Sequence, residues 1–151
     1  MNSRVIGLYT AATAGAPIVS RTWVDVLPGA GIVGDRYARG QGHWSDPKWP
    51  DQELTMLEAE VAEELAIDPA ALRRNVVTRD VRLDALTGAR FQIGGAVLEG
   101  VRPCDPCQYL ETLTRSGIMR ALVGRGGLRV RVITSGRICV GDAIVLVPAS
   151  G

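Results

Sequence analysis

The sequence predicts a mainly β protein with a few short helices, its strands closed or partly closed into a barrel-like sheet. Three observations predict it. Short β-branched runs between Gly and Pro punctuation dominate the 151 residues, which is the pattern of a strand-rich chain. Helical periodicity is confined to brief stretches. Strands do not alternate regularly with helices, which disfavours a parallel doubly wound sheet. With 46% hydrophobic and 22% charged residues the chain is not of the disordered class. At this length it buries about 68–70% of its unfolded surface, enough for a core without staples. No repeat or linker divides it, so residues 1–151 read as a single domain.

The predicted strands are Arg4–Tyr9, Ile18–Val26, Leu54–Leu57, Asn75–Val77, Ala89–Ile93, Ala96–Val101, Leu128–Thr134 and Ala143–Val147. Around Val130 and Val132 apolar and Arg positions alternate, the period of a half-buried strand. Gly94-Gly95 joins two such runs as a tight hairpin. Glu58 to Ala66 is rich in Glu and Ala and sets Val61 and Leu65 four apart on one helical face. Asp68-Pro69 supplies an N-cap and a first-turn proline for a short helix through Arg73. Asp105-Pro106 repeats that signal ahead of Cys107 to Leu113, and Ser116 caps a third segment with Ile118, Leu122 and Val123 apolar on one side.

Charge and hydropathy exclude several classes of function. The 17 basic residues are 16 Arg and Lys48, yet the formal net charge is only +1. That balance argues against a sequence-independent nucleic-acid binder, which needs many uncompensated basic groups. No run approaches the 18 or so apolar residues of a membrane span. The first residues lack the apolar stretch and small-residue cleavage site of a signal peptide. Three cysteines make no disulfide framework, so a cytoplasmic, reducing setting is expected.

Two motifs match familiar spacings without their context. Gly29-Ala30-Gly31-Ile32-Val33-Gly34 fits GxGxxG, but the nucleotide-binding version needs a helix opening inside the glycines. The following stretch, with Gly40, Gly42, Pro47 and Pro50, cannot form one, and a glycine loop accounts for the motif better. Cys104-Asp105-Pro106-Cys107 has CxxC spacing, but a structural zinc site needs four ligands. Only Cys139 and the lone His43 are left to supply them. A thioredoxin-like pair would sit early in a βαβ unit, and this one does not.

The chemistry around the pair is more telling. A strand ends at Val101, Pro103 stops it, Asp105 can cap and Pro106 can open a helix, which puts Cys107 in the first helical turn. Unsatisfied N–H groups and the helix dipole there favour a thiolate, and Arg102 adds positive potential. Cys107 is therefore the candidate nucleophile, sulfur carrier or soft-metal ligand, with Cys104 as its candidate resolving partner. Cys139, inside an apolar run, reads as a core residue.

Taken in order, Gly34-Asp35-Arg36, Arg74-Asn75-Val76-Val77, Leu86-Thr87-Gly88 with Phe91-Gln92-Ile93-Gly94, Arg102-Pro103-Cys104-Asp105-Pro106-Cys107, Gly126-Gly127-Leu128-Arg129 and Val140-Gly141-Asp142 resemble a MOSC domain. That module is named for the C-terminal part of molybdenum-cofactor sulfurases, and the resemblance runs from Gly31 to Val145. It implies a β-rich, barrel-like fold and an association with the molybdenum cofactor (molybdopterin). It also implies that Cys107 carries a persulfide or ligates molybdenum, and that Arg36, Arg73, Arg74 and Asn75 meet the cofactor's phosphate and pterin. Asp35, His43 and Arg102 complete the cofactor-binding set. Many members place His where Tyr37 stands here, which makes His43 the candidate substitute. Pyridoxal phosphate is not expected, since Lys48 is the only lysine. The implied partner is a cysteine desulfurase or a molybdoenzyme, with no nucleic acid and no membrane; the oligomeric state is not readable.

The resulting expectation is a molybdenum-cofactor-binding sulfur carrier acting through a cysteine persulfide. Three alternatives remain open at this stage: a molybdenum enzyme reducing small N-hydroxylated bases, a non-catalytic module binding a small anion or partner, and a plain CxxC oxidoreductase.

Overall fold

The computed structural model describes residues 3–13, 15–36, 53–104, 117 and 125–148. Eleven strands lie in that part of the chain: β1 (Arg4–Thr10), β2 (Val19–Arg21), β3 (Trp23–Leu27), β4 (Gly31–Ile32), β5 (Leu54–Glu58), β6 (Val76–Arg79), β7 (Arg90–Ile93), β8 (Ala96–Pro103), β9 (Leu128–Thr134), β10 (Gly136–Cys139) and β11 (Ile144–Leu146). Helix α1 spans Ala59–Glu64, and 3-10 turns occupy Pro69–Leu72 and Leu83–Leu86.

Eight strands form one sheet in the order β11-β7-β8-β9-β5-β6-β1-β2, and β10-β3-β4 form a second. All pairings are antiparallel except β5 with β6. The large sheet does not close, so barrel-like describes it only loosely. The reason lies in β1, whose outer edge is divided. Leu8, Tyr9 and Thr10 pair with β2, which leaves only the start of the strand for the other end of the sheet. There Arg4 makes a lone bridge to Ala143, beside β11. The Val5 N–H donates to the Asp142 carbonyl at 2.9 Å and the Gly141 N–H to the Val5 carbonyl at 2.8 Å. The ends meet at a seam, not along a ladder.

Alternation along the strands fills two apolar layers. In β5, Leu54 and Met56 point into the main core with Val5, Leu8, Val76, Phe91, Leu98 and Val130. Leu57 points the other way and packs with Val61, Ala62 and Leu72. A central strand flanked on both faces has no exposed side, which is why Leu54 to Leu57 is buried throughout and does not alternate with exposed residues.

Several elements differ from the sequence expectation. Ile18–Val26 is two strands, because the chain leaves β1's edge at Thr22 and joins β3 to the small sheet. The fourth expected strand, Asn75–Val77, starts one residue later and runs to Arg79, since Asn75 ends its turn as a clamp and β6 begins at Val76. Gly136–Cys139 is a strand that the sequence does not predict; its partner β3 is more than a hundred residues away in sequence. The helix expected at Glu58–Ala66 is shorter, ending as Ala66 turns left-handed at φ 53°. Asp68 caps as expected, its Oδ1 accepting from the Ala70 N–H at 2.9 Å, but the helix it opens is one 3-10 turn. The Gly94-Gly95 hairpin forms, with Ile93 opposite Ala96.

The glycine hexapeptide is a turn and a two-residue strand, with no helix. Gly31 lies at φ +96°, and a Cβ there would overlap the Glu53 carbonyl, so close backbone approach is what the glycine provides. The helices expected after Asp105-Pro106 and Ser116 lie outside the described residues.

Candidate functional site

The site begins where the 3-10 turn stops. Its cap residue Arg73 sits in the left-handed region at φ 58°, ψ 32°, an uncommon place for a side chain with a Cβ. Such a conformation persists only where the surroundings fix it, and Asn75 does much of the fixing. Asn75 is fully buried. Its Oδ1 accepts from the Thr55 N–H at 3.0 Å and from the Thr55 hydroxyl at 3.3 Å. Its Nδ2 donates to the Tyr9 carbonyl at 3.1 Å, and its own N–H donates to the Thr55 hydroxyl at 3.2 Å. The side chain thus ties β5 and β1 to the two residues that precede β6. Its described contacts are with backbone and Thr55, so it sets the position of its arginine neighbours.

Asp35 and Arg36 approach the same turn from the other side. Both are buried, at 0% and 4% exposure. Asp35 Oδ1 accepts from the Ala11 N–H and from Arg36 Nη1, each at 3.0 Å. Arg36 Nη2 donates to the Arg73 carbonyl at 2.9 Å. A buried ion pair is tolerated when its remaining hydrogen-bonding groups are met, and here backbone groups of β1's end and of the Arg73 turn meet them. Asp35 is a loop-holding residue in this geometry.

From Arg74 the contacts continue to the cysteine segment. Arg74 Nε donates to the Gly126 carbonyl at 2.9 Å. Gly127, at φ +113°, lies so close to β5 that a Cβ would overlap the Met56 carbonyl, with Arg74 Nε 3.7 Å away. The Cys104 N–H donates to the Gly127 carbonyl at 2.8 Å. Cys104 itself is 2% exposed. Arg102 is half-buried and stands opposite Arg129 across β8 and β9. Hydrogen bonds therefore link Asp35, Arg36 and the Arg73 carbonyl, the chain carries that turn on through Arg74 and Asn75, and Gly126-Gly127 connects Arg74 to Cys104. Cys107 and His43 lie outside the described residues.

Arg74 brings a buried donor to this arc that is left over. Arg74 Nη2 is buried and has no hydrogen-bond partner among the described residues. A buried unmet donor costs about 1–3 kcal/mol, more when charged. A phosphate or carboxylate oxygen would meet it with a charge-assisted bond. The residues present thus fit an anionic group such as the cofactor's phosphate.

Tyr9, one strand over, has its hydroxyl pKa raised, first by burial and then by the Asp68 carboxylate. It stays protonated and polar without charge. Among the described residues no group of His, Cys, Asp and Glu is arranged to hold a metal ion, and no helix is long and apolar enough to cross a membrane.

Sequence reading missed Thr55 and Glu53, and it quoted Arg129 only as part of a motif, with no place in the site. Thr55 is the hydroxyl partner of Asn75. Glu53 is 8% exposed, and its Oε1 accepts from the Gly29 and Val132 N–H groups at 3.1 and 3.0 Å, joining the glycine turn to β9. Arg129 is 7% exposed. Polar residues inside or beside an otherwise apolar strand were the available signal for the first two.

The MOSC domain family profile matches residues 49–145, well over half of the chain. The chain belongs to the MOSC domain family. Among solved structures it resembles YuaD from Bacillus subtilis, with a TM-score of 0.74 at 22% identity, covering 97% of this chain and 96% of that one. It also resembles YiiM from Escherichia coli, at TM-score 0.69 and 20% identity, covering 99% and 71%. YiiM from Geobacillus stearothermophilus matches at TM-score 0.69 and 17% identity, covering 97% and 75%. At these identities the likeness is one of fold. A sequence search of curated proteins finds no match.

Proposed function

We propose that this MOSC protein binds the molybdenum cofactor through the arginine arc and carries sulfane sulfur on Cys107. The observation that carries the reading is the path of hydrogen bonds and chain neighbours from Asp35–Arg36 through Arg73-Arg74 to Gly126-Gly127 and Cys104, with the Arg74 Nη2 donor left unmet. Arg74 would hold a phosphate oxygen, and Arg36 and Asn75 would keep the Arg73–Arg74 turn in place. When bound, the cofactor supplies a metal centre able to accept sulfur.

The chain's own step is a thiol–persulfide exchange. The Cys107 thiolate attacks the terminal sulfur of a persulfide on a donor protein such as a cysteine desulfurase. A sulfur–sulfur bond forms at Cys107 as the donor's breaks, and the donor cysteine leaves as its thiolate. No net oxidation occurs, so no other reagent is required. A lowered thiol pKa is what such a nucleophile needs near neutrality. Cys104 is too buried to share the role without a change of position, and its N–H bond to Gly127 anchors the segment leading to Cys107.

Protein purified from a molybdopterin-producing host should retain pterin. Arg74→Ala should lower cofactor affinity about tenfold to a hundredfold, the loss of one charge-assisted bond. Cys107→Ser should retain pterin while losing sulfur transfer. Wild-type protein free of pterin under those conditions contradicts the proposal. Stoichiometric molybdenum that disappears in Cys107→Ser would instead favour a metalloenzyme with Cys107 as ligand.

A further inference from the structure

A cleft of about 350 Å³ opens at the C-terminal end of β8, where Pro103, Gly127 and Leu128 line it. Its described lining is apolar at Val61, Leu83, Pro103 and Leu128, with Gly127 at its base and Glu58 set among them. That size falls within the range of small-molecule sites, and its wall is mixed, the four apolar side chains standing beside the charged Glu58, Arg82, Asp84 and Arg125. Pro103 directly precedes Cys104, and the Gly127 carbonyl accepts from the Cys104 N–H, so the cleft adjoins the proposed site and shares Gly127 with it.

The charges around the cleft decide what it takes. Arg125 lines it but is paired with Glu64. Arg82 and Asp84 also line it; both are exposed, and they face each other at 3.9 Å. Glu58 is different. It is half-buried at the end of β5, its Oε2 accepts from the Leu83 N–H at 3.2 Å, and it has no cationic partner among the described residues. A carboxylate beside apolar side chains, with the two lining arginines directed to Asp84 and Glu64 instead, favours a guest that brings a positive charge or a strong N–H donor of its own.

We infer that this cleft binds a small amine or amidine with an apolar body, its nitrogen held by Glu58. The inference goes beyond the proposed cofactor and sulfur chemistry and needs neither Cys107 nor bound cofactor to be tested. Only the guest's purpose, as a ligand beside the cysteine segment, rests on that reading.

The test is an NMR titration of the full-length 15N-labelled protein with benzylamine, and with benzoate as its opposite-charge counterpart. Benzylamine should shift the Leu83 N–H, which reports directly on the Glu58 carboxylate, together with the Val61 and Leu128 amides. Benzoate should shift none of these. Glu58→Gln keeps an oxygen to accept from the Leu83 N–H, so the fold is retained, and it should weaken benzylamine at least tenfold. Asp84→Asn should change it less than twofold. Equal binding of benzoate, no benzylamine shifts at millimolar concentration, or full affinity in Glu58→Gln would each overturn the inference. Any of these would leave pterin retention, and with it the proposed function, untouched.

Discussion

Replacing Asn75 with alanine should be among the most costly single changes in this protein. Asn75 is fully buried, and its amide is the hydrogen-bond partner of the Thr55 N–H and the Tyr9 carbonyl. A methyl group in place of the amide would leave both backbone groups unmet in the interior. The Thr55 hydroxyl can turn to other uses, since it also accepts from the backbone N–H of the same position, so only the two backbone groups are counted. At about 1–3 kcal/mol for each unmet buried group, the loss is about 4 kcal/mol. That is a large share of the roughly 5–15 kcal/mol that stabilises a typical domain. Urea titration followed by circular dichroism measures it as a fall in midpoint at constant slope. A loss below about 1 kcal/mol with an unchanged slope would refute the clamp, and with it the account of why Arg73 holds a left-handed conformation.

The other predictions concern the same arc and the sheet's outer face. Asp35→Asn keeps the acceptor for the Ala11 N–H but removes the carboxylate charge paired with the buried Arg36, and should cost about 3 kcal/mol by denaturant unfolding; a loss within about 0.5 kcal/mol, the size of an ordinary surface change, would show that the pair is immaterial. Gly127→Ala should cost about 3 kcal/mol or more, because its Cβ meets the rigid Met56 carbonyl at a positive φ; near-wild-type stability with retained cofactor binding would contradict the close packing of β9 on β5. Glu99 is hydrogen-bonded to both Arg90 and Arg131, which hold its carboxyl below the usual glutamate range. A depressed carboxylate stabilises the fold above its unfolded pKa and loses that contribution as pH falls through its folded value. Glu99→Gln should therefore flatten the fall in melting temperature below about pH 4.5, while an unchanged acid limb would show that these arginines contribute nothing there.

Much of this was readable from residue order alone, and the exceptions have physical causes. The mainly β class followed from β-branched runs and glycine punctuation, and the Gly94-Gly95 hairpin from its two-residue loop. Asp68 and Pro69 announced their turn because capping is local. The strand Gly136–Cys139 did not announce itself, since its pairing with β3 depends on a contact far away in sequence. The open seam between β1 and β11 could not be foreseen for a related reason: it depends on β2 taking the outer edge of β1. In the site, Arg36, Arg73 and Arg74 were legible as anion-binding residue types. Asn75 was legible as a site residue, but its use as a clamp became visible only with Thr55 and Tyr9 beside it. Glu58 gave no signal, because a carboxylate at a strand end looks solvated until the cleft around it is seen.

The most direct measurement is the intact mass of the protein after incubation with a persulfide donor, for wild type, Cys104→Ser and Cys107→Ser. The account predicts one added sulfur atom in wild type and in Cys104→Ser, removed by reductant, and none in Cys107→Ser. Sulfur that loads fully onto Cys107→Ser, or that depends on Cys104 alone, would contradict it.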